Sequence, residues 1–401
     1  MSKTGGKKIL MLLENNPYPH DGRVRREAQT LLAAGYSVAV ISPGKKNQQW
    51  KENVEGVHSF RYPEPAQANS FLGYLWEYGY SITATFFLSL YVLFRKGFDV
   101  IHAHNPPDIF VLIAAFYRLF GKKFVFDHHD LSPEMYFARF SGEGNKIVYK
   151  VLLTFEKLTF HFADRVISTN ESYKEIAVTR GKVPEEKVSI VRNGPELKRL
   201  KNAEPFQELK EKYSTIFGFV GDIGYHDGVD NLIRALYSLV HDCKRTDFYC
   251  IIIGVGDAWK DVKKLTTELG LDQYVLFTGF IPDAEMMRYL STADICVDPD
   301  PQNAFTDRST MIKMTEYMAL QKPIVAFGLK EHKFTARDAA IYAKPNDSAD
   351  FARCLVKLMD NPLLREEMGK AGRLRIETEL AWHFQEEYLK NAYKALFRDK
   401  I

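Results

Sequence analysis

Cysteine is scarce in this chain and poorly placed for chemistry. Cys243, Cys250, Cys296 and Cys354 all fall in the second half, with no Cys-x-x-Cys spacing. Cys250 and Cys296 sit inside apolar, strand-like runs, so buried free thiols in a reducing compartment are expected rather than disulfides or cysteine metal sites. No Gly-x-Gly-x-x-Gly follows the first apolar strand, so a dinucleotide fingerprint is missing. Internal repeats and low-complexity segments are lacking too, as is the basic stripe interleaved with aromatics that a nucleic-acid partner requires. The N-terminal apolar run Ile9–Leu13 is too short for a signal peptide, which points to a cytoplasmic protein. Long hydrophobic runs are nearly absent: Tyr78–Phe94 is uncharged over 17 residues, at the lower limit for a membrane span. Ser81, Thr85 and Ser89 recur there every four residues and would line one face of a helix packed behind a sheet, leaving surface contact with a membrane open.

What is present is an ordinary soluble composition, 46% hydrophobic and 26% charged, over 401 residues. That length suits two domains of roughly 200 residues each. Net charge is only +3 but unevenly spread: residues 1–200 carry 27 Lys and Arg against 20 Asp and Glu, residues 201–401 carry 27 against 31. A basic first half suits an anionic partner, a membrane surface or simply a solvated basic face.

Lys7–Leu13 reads as the first strand of a buried parallel sheet, and Gly35 closes a helix that starts at Asp21 or Gly22. Val24, Ala28 and Leu31 share the sheet-facing side of that helix. Arg23, Arg25 and Arg26 crowd its first turn, where the helix dipole disfavours cations, so an anion such as a phosphate of donor or acceptor is expected near Arg23 and Arg26. Ser37–Ser42, Asp99–His104, Lys123–Asp130 and Arg165–Asn170 are further strands. Two of them deliver His and Asp to strand C-terminal ends, where open α/β sheets keep their chemistry. The histidines match no metal-ligand spacing, and His102, alternating into its strand, suits a structural role. Lys198–Lys212 is charged, lacks apolar periodicity and reads as a linker.

The second half is organised around Ala293–Phe327. A short strand, Ile295–Val297, leads into a loop rich in Asp, Pro and Asn. Asp307 or Thr306 could cap a helix from about Ser309 to Leu320, and Ile324–Phe327 returns as a buried strand. In such a βαβ unit ligands bind where the helix begins: bare N–H groups hold phosphate, and a carboxylate one turn on can bind ribose hydroxyls. Lys313 and Glu316, three apart, share the face nearest that end. Ile216–Gly221 followed by the loop Asp222–Gly228, with Gly224 inside it, repeats the strand, glycine loop and helix pattern.

The segment Ser309–Phe327, STMIKMTEYMALQKPIVAF, resembles the donor-binding helix of family-four retaining glycosyltransferases of the GT-B fold. Asp127–Glu134, Val188–Pro195 and Val275–Pro282 resemble further segments of that family. The resemblance implies an α/β protein of two Rossmann-like domains facing each other across a cleft that holds the active site. It implies transfer of a sugar from a nucleotide-sugar, UDP- or GDP-linked, to an acceptor hydroxyl with retention. The acceptor would be a glycan, lipid-linked or small molecule. No metal and no cofactor is implied, since protein cations and helix N-termini can stabilise the leaving diphosphate. By position Glu316 matches the glutamate that binds the ribose, and His129 the histidine that faces the donor sugar. Most members carry a second glutamate where this chain has Arg308, with Asp307 beside it. They also carry an Arg and a Lys where this chain has Asp222 and Asp227.

The expected roles are therefore Arg308, Ser309 and Lys313 for the diphosphate, Gly224 for donor binding, and His129 and Asp307 for the sugar. Asp298-Pro299-Asp300 invites comparison with the metal-binding Asp-x-Asp of the GT-A fold, but it comes too late in a chain with two parallel βα halves. The expected domains are residues 1–197, a linker 198–212, a nucleotide-sugar domain 213–378, and a helix 379–401 returning to the first domain. A sugar-nucleotide epimerase or phosphorylase, or an inactive binding or scaffold subunit, are the rival readings.

Overall fold

The computed structural model describes residues 6–65, 71–140 and 142–398. The outermost residues of the two expected end segments, 1–5 and 399–401, lie outside the described residues. The chain forms two compact units, one of residues 1–133, 145–192 and 385–401, the other of residues 134–144 and 193–384.

The first unit holds an eight-stranded sheet of β1 (Lys8–Leu12), β2 (Ser37–Gly44), β3 (Lys51–Val54), β4 (Val57–Pro63), β5 (Val100–His104), β6 (Lys123–His128), β7 (Arg165–Ser168) and β8 (Val188–Ile190), in the order β3-β4-β2-β1-β5-β6-β7-β8. All neighbours are parallel except the β3–β4 hairpin. Residues of the central strands are buried on both faces, which is why they read as continuous apolar runs. On one face, Leu10, Ile41, Ile101, Phe124 and Phe126 meet helices Phe71–Arg95, Val111–Arg118 and Lys146–Phe162 in a single core. Ser81, Thr85 and Ser89 are buried as expected, Ser89 Oγ lying 2.8 Å from Tyr117 OH. Among the described residues no helix is long and apolar enough to cross a membrane.

Helix Gly22–Ala33 begins as expected: Asp21 accepts the Val24 N–H at 2.9 Å, and Gly35 at φ 87° supplies the left-handed residue that ends it. Val24, Ala28 and Leu31 are fully buried. From Gln385 on, the closing helix Trp382–Arg398 belongs to this same unit, with Tyr393 OH 2.9 Å from His102 Nδ1.

The second unit holds a six-stranded, wholly parallel sheet of β9 (Thr215–Val220), β10 (Phe248–Ile253), β11 (Val275–Gly279), β12 (Ile295–Asp298), β13 (Ile324–Phe327) and β14 (Ala340–Ala343), ordered β11-β10-β9-β12-β13-β14. Strand order reverses between β9 and β12, and in the first sheet between β1 and β5. Loops leaving the carboxyl ends of these strands diverge there and open a crevice. All four cysteines are free.

Residues 198–212 are part of this second unit rather than a free linker. Leu200 is buried, the Ala203 and Phe206 N–H groups donate to Ser291 Oγ and Thr292 Oγ1, and Gln207–Lys212 forms a helix. Hydroxyls at the end of another helix thus satisfy this backbone, a pairing that local composition does not reveal.

Candidate functional site

The reversal point of the second sheet gathers most of the expected donor-binding residues. β12 ends in Asp298, Pro299 turns the chain, and Asp300 follows; both carboxylates are buried. The helix expected from Ser309 begins three residues later, at Ile312, and runs to Ala319. A turn of 3-10 helix over Thr306–Arg308 precedes it, and the Ser309 hydroxyl donates to Phe305 O at 2.8 Å. Asp307 is not its cap: Oδ1 accepts the Lys330 N–H at 3.0 Å, tying two loops together. Met311 takes the N-cap position and offers no capping side chain, so the first-turn N–H groups have no side-chain acceptor there.

Lys313 is where the sequence placed it but its charge is met from within. Its ammonium, only 9% exposed, lies 2.6 Å from Asp300 Oδ1 and 3.3 Å from Asp298 Oδ1, above the Phe219 ring at 5.0 Å. Burial pulls this ammonium down, but the two carboxylates outweigh burial and hold it above the ordinary lysine value. Burial, then the charge of Asp298, pushes the Asp300 carboxyl well up. Burial also pushes Asp298 up, but Lys313 and His332 outweigh it and hold Asp298 below the usual range. The centre is therefore a buried Lys313–Asp298 ion pair with Asp300 favouring its neutral form. His332 Nε2 stands 3.6 Å from Asp298 Oδ2, while Nδ1 donates to Phe327 O at 3.0 Å. Since a carbonyl only accepts, the proton of the neutral ring is on Nδ1.

Glu316 lies further along the same helix with its side chain 14% exposed, and Oε1 accepts from Arg199 at 2.9 Å. Arg199 also donates to Asp283 Oδ2 at 2.8 Å. Arg308 is half-buried and donates to Ala304 O at 2.8 Å. The loop after β9 is acidic, as its sequence states: Asp227 Oδ2 accepts the Gly224 N–H at 2.9 Å, and Asp222 is exposed.

At the reversal point of the first sheet the expected Arg cluster resolves differently. Arg23 is buried, and the anion beside it is internal: Nε and one terminal nitrogen clamp both oxygens of Asp127 at 2.8 Å, and Glu27 Oε1 stands at 3.1 Å. Arg25 pairs with Glu55 at the surface. Arg26 stays half-buried, its guanidinium folded back against Gly22. Asp127 is the hub, with His104 Nδ1 at 2.9 Å and His129 Nδ1 at 3.6 Å. Burial pushes Asp127 up, but Arg23, His129 and His104 together hold it well below the carboxylate range. Burial and the charge of Asp127 push Glu27 well above that range. Burial draws His129 down, yet the Asp127 charge wins and raises it. Asn105 Oδ1 accepts the His129 and Asp130 N–H groups at 2.8 and 3.1 Å, fixing the loop that carries the imidazole. His102 is fully buried, as a structural histidine should be.

Among the described residues two groups of side chains have metal-ligand composition, Glu27/His102/His104/Asp127 and Asp298/Asp300/His332. Each already contains a protein cation: Arg23 takes both oxygens of Asp127, and Lys313 lies between Asp298 and Asp300. A divalent ion would have to displace or repel that cation, so neither donor set fits one well.

Against known proteins, residues 23–199 match the family model described as Glycosyltransferase Family 4, and residues 214–361 the one described as Glycosyl transferases group 1. An uncharacterized glycosyltransferase of Methanocaldococcus jannaschii is 24% identical over 387 residues, 92% of either chain. Among solved structures, a sucrose-phosphate synthase of Thermosynechococcus elongatus superimposes with a TM-score of 0.80 at 18% identity, covering 98% of this chain and 99% of that one. The HepE protein of Anabaena, solved in complex with UDP and glucose, superimposes with a TM-score of 0.70 at 15% identity, covering 97% and 100%.

Proposed function

The chain belongs to the family-four, group 1 glycosyltransferases of the GT-B fold, enzymes of the hexosyltransferase type, and on that premise we propose that it moves a sugar from a UDP- or GDP-sugar to an acceptor hydroxyl with retention at the anomeric carbon, in the synthesis of a cell-surface polysaccharide or glycoconjugate. The observation that carries this reading is the Ile312–Ala319 helix, which starts at the reversal point of its sheet and holds Glu316, partly exposed, within one turn of uncapped N–H groups. Glu316 takes the ribose hydroxyls, and Arg199 orients its carboxylate. A similarly folded protein solved with UDP and glucose supports a nucleotide-sugar donor.

In this reading the diphosphate rests against the first turn of that helix, with Ser309 and Arg308 beside it; the Gly224 N–H, already taken by Asp227, is not one of its donors. Negative charge grows on the diphosphate as the glycosidic bond breaks, and a guanidinium and helix N–H groups already in place stabilise it. Lys313 contributes through the field of its ion pair rather than by direct contact. No metal or cofactor is called for. His129, protonated against Asp127, donates to a hydroxyl of the donor sugar, and Asp307 accepts from another. Arg26 remains the acceptor-side cation, since Arg23 is neutralised inside the unit.

Thermal stabilisation by UDP-, GDP- and ADP-sugars identifies the donor, because saturating ligand raises apparent stability by mass action. The affinity advantage of nucleoside diphosphate over monophosphate should then largely vanish in Arg308→Ala. An unchanged advantage there moves the phosphate contact away from this turn. One observation favours a second reading, a donor-binding subunit without turnover: the loop after β9 presents Asp222 and Asp227 where a diphosphate needs positive charge. Hydrolysis of the bound donor rules that reading out.

A further inference from the structure

Three neighbouring helices of the first unit show a surface that the transferase reading does not use. The exposed side of helix Lys146–Phe162 presents Lys146, Ile147, Lys150, Val151, Lys157 and Leu158, lysine alternating with large apolar residues. The helix has a single carboxylate, Glu156, and that one points inward to Arg180 at 2.6 Å. Helix Phe71–Arg95 exposes Trp76, Phe87 and Phe94 and ends in Arg95. Between them, Val111–Arg118 exposes Leu112, runs on into exposed Leu119 and Phe120, and is followed by Lys122 and Lys123. Phe86 packs edge-on against Phe116 at 5.2 Å, and Arg118 donates to Phe162 O, so the three helices lie side by side over one sheet face. Their outer sides form one apolar, basic surface.

From this we infer that the outer face of these three helices docks the first unit onto an anionic lipid surface. Nine large apolar side chains exposed on three adjoining helices and the turn after one of them form the kind of apolar patch that marks an interaction site. The lysines separate a bilayer from a second protein. The core of a protein interface is depleted in lysine, because each ammonium would be stripped of water. At a lipid surface the same side chains keep their heads among the phosphates while Ile147, Val151, Leu158, Phe87 and Phe94 sink below them. No carboxylate stands on the exposed side of Lys146–Phe162 to oppose the headgroup charge.

The test is sedimentation of the full chain with vesicles of phosphatidylcholine alone or mixed with phosphatidylglycerol. Binding to the mixed vesicles is expected, with weak binding to phosphatidylcholine and weaker binding at high salt. A triple variant Lys146→Glu, Lys150→Glu, Lys157→Glu should lower partition about a hundredfold or more, three charges at ~1 kcal/mol each near such a surface. Ile147→Ser with Leu158→Ser should lower it at low salt too, while Leu363→Ser, exposed on the second unit, leaves it unchanged. All three sets alter exposed side chains, so an unchanged melting temperature confirms that each variant is folded. Absence of binding to the mixed vesicles overturns the inference, as does equal loss with Leu363→Ser. So does a lipid-free wild-type dimer that the Ile147/Leu158 variant dissociates, which would make the face an interface between copies of the chain.

Discussion

Replacing Lys313 by Met keeps the stem of the side chain and removes the ammonium from between two buried carboxylates. Asp298 and Asp300 then lose a cation at 3.3 and 2.6 Å in a place water does not reach. Breaking a buried pair from one side costs about 3–5 kcal/mol, because the remaining charge is left without a partner. For a unit of about 200 residues that is a fall of roughly 6–20 °C in its melting temperature. The sign of the pH dependence follows. With the ammonium gone, both carboxyls have folded-state pKa values above their unfolded ones. Their stabilising contribution is then complete below the unfolded carboxylate range and is lost as pH rises through the folded values. The deficit of Lys313→Met should therefore be smallest near pH 4 and largest near pH 8, and Asp300→Asn in the same chain should recover part of it. Calorimetry across that range measures the stability, and titration with nucleoside mono- and diphosphate measures the binding. A variant that melts like wild type at pH 8 yet loses tenfold or more in diphosphate affinity would refute this reasoning and make Lys313 a direct ligand of the donor.

Three more outcomes follow from the same geometry. Glu316→Gln should weaken donor binding roughly tenfold or more, since a hydrogen bond to a charged group contributes ~1.5–3 kcal/mol, with little change in melting temperature; unchanged affinity in a titration would remove Glu316 from the ribose. His129→Ala should cut turnover steeply while nucleoside diphosphate affinity stays near wild type, because His129 belongs to the other compact unit from Glu316; an equal loss in both would place it in the nucleotide pocket. Arg23→Met strips Asp127 of its clamp, so the first unit should lose about 3–5 kcal/mol at pH 8 and less in acid, where Asp127 can protonate; a flat profile on thermal scans would mean that the ion pair is not what the unit depends on.

The elements were legible wherever burial alone decided them. The strand Ile324–Phe327 has the bounds its apolar run suggested, and Asp21 caps the first helix because the cap and the N–H that donates to it are three residues apart. What stayed hidden was settled by partners far off in sequence. The three arginines after Asp21 implied an anion, but nothing local says that Asp127, over a hundred positions on, supplies it to Arg23. Asp307 looks like a cap until the Lys330 N–H claims its carboxylate. A charged stretch whose only leucines are Leu200 and Leu209 reads as a linker until Leu200 is buried and Arg199 reaches both Asp283 and Glu316. Lys313 had a visible signal in retrospect: two acids spaced two apart at a strand's carboxyl end, followed by a lone lysine on the next helix.

The return of the last helix to the first sheet bears on how the chain is made. Tyr393 reaches His102, and Tyr36 packs against Tyr393 and Phe397 with ring centroids 5.4 and 6.2 Å apart. Domains of a nascent chain generally fold in the order in which they leave the ribosome. Here the first unit to emerge is the last to be finished, since its Tyr36 face stays uncovered through the synthesis of nearly two hundred intervening residues. A premature stop or a tag that strains the carboxyl terminus would therefore register at the opposite end of the gene product, as an exposed aromatic face on a unit whose own amino-terminal sequence is intact.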